Sequence, residues 1–134
     1  MVRLSKKVEY GLIAIRYIAL RQNGEVVTAK EIADKHQISY ELVAKVLQRL
    51  ARAGLVISQQ GVRGGYMLAK NPSEVSIAMV IDAIEGMPPA IAQCMAEGPE
   101  SCEVFNNCTI KSPLTKVQAN IEQAFRTMTI AQIV

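Results

Sequence analysis

With 134 residues the chain is long enough for one domain with a real core, or a small domain plus a dimerisation arm, and too short for two independent domains. Apolar residues make up 50 % of it, yet no apolar run reaches the ~18 residues of a membrane span, and Met1-Val2-Arg3-Leu4-Ser5 lacks the apolar stretch of a secretory signal, which points to the cytoplasm. A net charge of +3 suits local phosphate contacts better than a generally cationic coat, and four Tyr, two Phe and no Trp leave little with which to stack single-stranded nucleic acid.

The first predicted helix covers 5–22. Ser5 is its N-cap, and Val8, Leu12, Ile15, Tyr17, Ile18 and Ala19 make a wide apolar stripe that should be largely buried. Lys6 and Lys7 at its start oppose the helix dipole, which fits either a nearby phosphate or two solvated lysines. Asn23-Gly24 should end the helix, and Glu25-Val26-Val27 reads as a short strand.

The stretch from Thr28 to Leu68 organises the rest. Thr28 with Glu31 three residues on is a capping box that opens a second helix, and the chain breaks at Gln37-Ile38. Ser39 caps a third helix from Tyr40 to Ala53, which Gly54 stops. Leu42, Val43, Val46, Leu47 and Leu50 fall on one face of it, leaving Tyr40, Glu41, Lys45, Gln48, Arg49 and Arg52 on the other. Next, Leu55–Ser58 and Tyr66–Ala69 bracket the glycine-rich Gln59–Gly65, a β-hairpin with an exposed tip and one cation.

Two helices followed at once by such a hairpin read as a winged helix-turn-helix, in a fold that is mainly α with a small β wing. Such a module binds duplex DNA. Ser39, Tyr40, Glu41 and Lys45 are then the candidates for base edges, and Gln48, Arg49 and Arg63 for phosphates, with Arg63 at the wing tip. The same pattern would also suit a winged helix used only for protein contacts, or an unrelated bundle with a chance hairpin.

Lys70-Asn71-Pro72 is a turn, and Ser76 opens a helix with Ile77, Val80, Ile81 and Ile84 on one face, stopped at Gly86-Met87-Pro88-Pro89. No period holds from Ala90 to Lys111, and structureless connections of that length are uncommon unless functional or disordered. Ser112-Pro113 restarts a helix, Ser as cap and Pro at the first helical position. Leu114, Val117, Ile121, Ala124 and Met128 then form a narrow seam that suits a second copy of the chain, or else the chain's own first helix. Thr129–Ile133 reads as a short docked helix. The organisation is a DNA-binding unit over 1–87, a cysteine-bearing sensor loop over 88–111, and a dimerisation helix with its C-terminal turn over 112–134.

All three cysteines, Cys94, Cys102 and Cys108, lie in that loop. Three thiols cannot form a closed disulfide set, and stored disulfides are rare in the cytoplasm, so thiolate ligation of iron or zinc is the leading chemistry. The gaps are wider than those of zinc knuckles and suit a larger inorganic core such as an iron-sulfur cluster, with free thiols that oxidise as the plainer alternative.

Over nearly its whole length the chain resembles the Rrf-two family of bacterial transcription regulators. The resemblance rests on Arg3-Leu4-Ser5, Glu9-Tyr10-Gly11-Leu12, Glu31-Ile32-Ala33, Ile38-Ser39, Leu50–Leu55, the wing Gly61–Ala69, the three cysteines and Thr129–Ile133. It implies a winged-helix dimer with a long crossing helix, and a two-iron or four-iron cluster on Cys94, Cys102 and Cys108 that tunes operator binding. One subgroup places a His three residues after the last cysteine, where this chain has Lys111, a poor ligand while protonated. Glu9 matches the position at which another subgroup uses an acidic residue from the partner subunit, and is the implied fourth ligand; His36, the one histidine, is a helix-end residue.

The resulting expectation is a cytoplasmic homodimer that binds double-stranded DNA and senses iron-sulfur status, oxidants or nitric oxide. Its rivals are a metal-free regulator switched by thiol oxidation and a protein-binding winged-helix adaptor. An enzyme is not expected, since no nucleophile-base pair, phosphate loop or paired carboxylate set stands at a usable spacing.

Overall fold

In the computed structural model, which describes residues 3–21, 25–62 and 64–134, helix α1 (Lys6–Leu20) starts as its sequence predicts. Ser5 Oγ accepts from Val8 N at 3.2 Å, and Val8, Ala14, Ile15 and Ile18 are buried. The helix stops earlier than expected, with Arg21 already extended. Asn23-Gly24, the expected stop, lies outside the described residues.

Helix α2 (Ala29–His36) opens with Thr28 Oγ1 accepting from Glu31 N at 3.0 Å. Only that half of the expected capping box forms, because the Glu31 carboxylate turns instead to Tyr17 and Arg21 of the preceding segment. Gln37 takes a left-handed conformation, φ 55°, and turns the chain into α3 (Tyr40–Arg52). Ser39 stands at the N-cap of α3 as expected, but its side chain makes no capping hydrogen bond among the described residues.

Strands β1 (Val56–Gln59) and β2 (Gly65–Leu68) form the antiparallel wing, Val56 opposite Leu68 and Gln59 opposite Gly65. The strand expected at Glu25-Val26-Val27 shrinks to one bridge, in which Val27 and Tyr66 exchange both backbone hydrogen bonds at 2.9 and 2.7 Å. It cannot lengthen forward, since Thr28 must already turn to cap α2.

After a 3-10 turn at Pro72–Glu74, α4 (Ile77–Glu85) buries Val80, Ile81 and Ile84 and ends at Gly86, φ 78°. Gly11 of α1 meets it closely: a Cβ there would stand 2.7 Å from Ile84 Cδ1. The segment from Ala90 to Lys111 is more ordered than expected. It holds the one-turn helix α5 (Gln93–Glu97) and 3-10 turns at Pro99–Ser101 and Phe105–Asn107, elements too short to show a period in sequence.

Helix α6 (Lys111–Thr127) begins just before Ser112-Pro113, which lie in its first turn rather than capping it. Proline is tolerated there because the first N–H groups of a helix have no intrahelical partner. The helix packs chiefly on α4, with Phe125 against the core, rather than on α1. The C-terminal turn docks as expected: Ile130 is fully buried, its N–H reaches Val75 O at 2.8 Å, and Ile77 N reaches Met128 O at 2.9 Å. No helix among the described residues is long and apolar enough to cross a membrane.

Candidate functional site

The amphipathic pattern of α3 decides which side chains it can offer. Val43, Val46, Leu47 and Leu50 go into the core, and Leu42 is half-buried at its margin. Ser39, Tyr40, Glu41, Lys45, Gln48, Arg49 and Arg52 are all exposed, so the expected recognition residues do share one open face. Arg49 is the exception in its bonding, since its Nη1 donates to Ile84 O at 2.8 Å at the end of α4. The wing tip is exposed at Gln60, Gly61 and Val62, and the Gly64 N–H closes the turn on Gly61 O at 3.0 Å. Arg63, the expected phosphate contact at this tip, lies outside the described residues.

A polar cluster ties α2 to α1. Tyr17 donates its hydroxyl to Glu31 Oε2 at 2.8 Å, and Arg21 bonds Tyr17 at 3.1 Å and pairs with Glu31. The Tyr17 hydroxyl first, and then the Glu31 charge, hold the Arg21 guanidinium above its ordinary pKa. His36 packs edge-on to the Tyr17 ring, centroids 5.7 Å apart, which accounts for it without a ligand role.

The three thiols are free and half-buried, each on a different short element: Cys94 in α5, Cys102 just after the first 3-10 turn and Cys108 just after the second. Among the described residues no three His, Cys, Asp or Glu side chains are gathered closely enough to hold a metal. The loop is pinned at both ends by residues that carry no sequence signal for the task. Gln118 of α6 donates to Pro89 O at 2.8 Å and accepts from Ile91 N at 3.0 Å, holding the stretch just before Cys94. Lys111 donates Nζ to Phe105 O at 2.8 Å, holding the turn before Cys108. A cleft of about 440 Å³ opens beside Cys94, with Phe105, Lys111 and Lys116 on its walls.

Glu9, the implied fourth ligand, sits half-buried on the first turn of α1 and pairs with Lys6 at 3.1 Å. That pairing gives the exposed Lys6 a partner within its own helix.

Residues 4–134 match the profile of the Rrf2 family, described as iron-dependent transcriptional regulator. The HTH-type transcriptional regulator NsrR of Oceanobacillus iheyensis is 32% identical over 115 residues, covering 86% of this chain and 78% of its own length. Among solved structures, T. potens IscR aligns with a TM-score of 0.75 at 26% identity, over 98% of this chain and 85% of that one. CymR, the global cysteine regulator of B. subtilis, aligns at 0.76 over 99% of this chain and 96% of that one; at 23% identity it supports the fold alone.

Proposed function

The chain belongs to the Rrf2 family of DNA-binding transcription regulators, and from that premise we propose that it works as a cytoplasmic homodimer whose operator affinity is set by an iron-sulfur cluster in the 88–111 loop. Its relatives regulate transcription and are not enzymes. The observation that carries the cluster is the set of three free, half-buried thiols within one loop that joins α4 to α6.

Their chemistry fits the group. Thiolates are the common ligands of iron-sulfur clusters, and Cys94, Cys102 and Cys108 would hold it after the short turns between them close together. Glu9 of the partner subunit, giving up its ion pair with Lys6, would complete the set, while the Lys111 amine stays with the Phe105 carbonyl. A cluster with one carboxylate ligand supplies a labile iron, open to displacement by oxidants or nitric oxide. Dimerisation is supported by α6, none of whose residues is fully buried within the chain: Val117 is 45% exposed, and Met128 just past its end 41%. Two recognition helices then present themselves to successive turns of duplex DNA.

On the DNA, Ser39, Tyr40, Glu41 and Lys45 would face base edges, while Gln48, Arg63 and the uncommitted donors of Arg49 would meet phosphates. Cluster state controls affinity only if the loop makes different contacts in its two states.

The deciding experiment is the visible absorption spectrum, with iron and sulfide assay, of protein purified without oxygen, wild type beside Cys102→Ala. Coloured, sulfide-containing wild type whose colour is lost in the variant is the expected result. Colourless, sulfide-free protein after reconstitution would discard the cluster and leave the thiol switch, which the ungathered thiols also permit.

A further inference from the structure

We propose that Arg49 is a positioning residue that couples the sensor loop to the recognition helix through the C-terminal carbonyl of α4. The inference rests on the reading that the loop controls DNA binding, and adds the route by which it does so.

The route starts from a vacancy written into the sequence. The last carbonyls of a helix lack intrahelical donors unless the following residues supply an N–H. For Ile84 and Glu85 the residues four places on are Pro88 and Pro89, which have none. Arg49, reaching across from the outer face of α3, donates Nη1 to Ile84 O at 2.8 Å. A cation at this helix end also meets the negative pole of the dipole. The Ser5 hydroxyl donates to Glu85 at the same end, so the N-cap of α1 converges on it as well.

The other side of this junction is the loop. Pro88-Pro89 has both φ angles restricted by its rings, which removes two of the soft torsions between the end of α4 and the loop. Gln118 grips Pro89 O and Ile91 N, and Cys94 follows three residues later. A rearrangement around Cys94 that shifts Gln118 or breaks its grip would move Pro89, then the end of α4, and through Arg49 α3. Arg49 is exposed and adds little to the core, so its removal should cut the connection without unfolding the protein.

Spatial continuity alone does not establish coupling, so the test measures it directly. All three cysteines of the full chain lie in the loop, and N-ethylmaleimide therefore adds bulk there and nowhere else. Amide hydrogen exchange is followed in wild type, Arg49→Met and Arg49→Lys, with and without alkylation. In wild type, alkylation should speed exchange over the C-terminal half of α3 by about fivefold or more. Arg49→Met should begin with faster exchange there and gain nothing on alkylation, while Arg49→Lys, which keeps a charged donor, should recover the response. Amides around Ile15 in α1 report the fold and should exchange alike in all three unalkylated proteins. An Arg49→Met protein that responds like wild type overturns the strut and leaves loop control standing. Faster exchange everywhere in Arg49→Met assigns Arg49 to general stability and overturns its positioning role. No response in the wild type overturns the strut, and loop control falls with it only if alkylation also leaves the retention of duplex DNA unchanged.

Discussion

Lys111 holds its ammonium 4.1 Å from the centre of the Phe105 ring while donating to the Phe105 carbonyl at 2.8 Å. One side chain thus ties the turn that delivers Cys108 to the first turn of α6. A cation over an aromatic face is worth about 0.5–1 kcal/mol at an exposed site, a factor of roughly two to five in local opening. Lys111→Met should therefore raise the rate of maleimide modification of Cys108 by that factor, read by peptide mapping, and leave Cys102, which does not line the Lys111 cleft, much less affected. Equal rates at Cys108 would mean that Lys111 does not hold the turn.

Gly65 has a precise steric reason to be glycine. A Cβ there would lie 2.8 Å from Val27 O, against backbone rather than a movable side chain. That carbonyl accepts the Tyr66 N–H, so the bridge joining the wing to the lead-in of α2 would have to part. Gly65→Ala should cost about 1–3 kcal/mol, in the range of other overpacked sites. The measurement is the shift of the urea midpoint with an unchanged slope; Gly64, half-buried beside it, is not an equivalent control, since its own Cβ would meet Gln59 O at 2.7 Å.

The helical framework was legible because its signals are local and redundant. In α3 the apolar spacing of Val43, Val46, Leu47 and Leu50 agrees with a cap position at Ser39 and a left-handed stop at Gly54, φ 81°. The departures occur where a side chain has a partner distant in sequence. Glu31 leaves its capping role for Tyr17 and Arg21, which α1 brings alongside. Ile110 rather than Ser112 stands before α6, since Pro113 fits the first turn at registers two residues apart and local pattern cannot choose between them. Of the site, the exposed face of α3 and the confinement of all three cysteines to one loop could be read directly, while among the described residues their thiols are not gathered. Gln118 and the Arg49 bond could not, because a polar residue on a helix surface carries no mark of the carbonyl it will find.

Ile130 is fully buried although it lies four residues from Val134, and it anchors the turn after α6 beside Val75. Truncation of a buried Ile to Ala costs about 2–5 kcal/mol. Ile130→Ala should lower stability by that amount in a denaturant titration. Its neighbour Ala131 is exposed, and Ala131→Ser should be close to neutral. A small effect at Ile130 would imply that the C-terminal turn contributes little to the fold.

Arg63 and Lys45 should separate by the salt dependence of DNA binding. A residue that neutralises a phosphate releases a counterion, so Arg63→Ala should weaken retention of any duplex and reduce the salt slope by about one. Lys45, exposed near the start of α3, should on loss change discrimination between sequences more than the slope. An unchanged slope in Arg63→Ala would count against a backbone contact at the wing.

Val117 is the sharpest probe of the proposed dimer because it is apolar, 45% exposed and central on α6, while Phe125 supplies the contact to the chain's own core. Val117→Glu would place a charge on each side of a two-fold seam and leave the monomer core untouched. Like charges facing one another there, together with the loss of buried apolar area, should shift sedimentation from dimer to monomer while the thermal transition of the monomer persists. DNA affinity should fall with it, since tethering two reading heads strengthens binding by about 10²–10⁴ without any new contact. If Val117→Glu remains dimeric, the Leu114–Val117–Ile121 stripe is not the seam. A monomer that keeps full affinity would instead show that one recognition helix suffices.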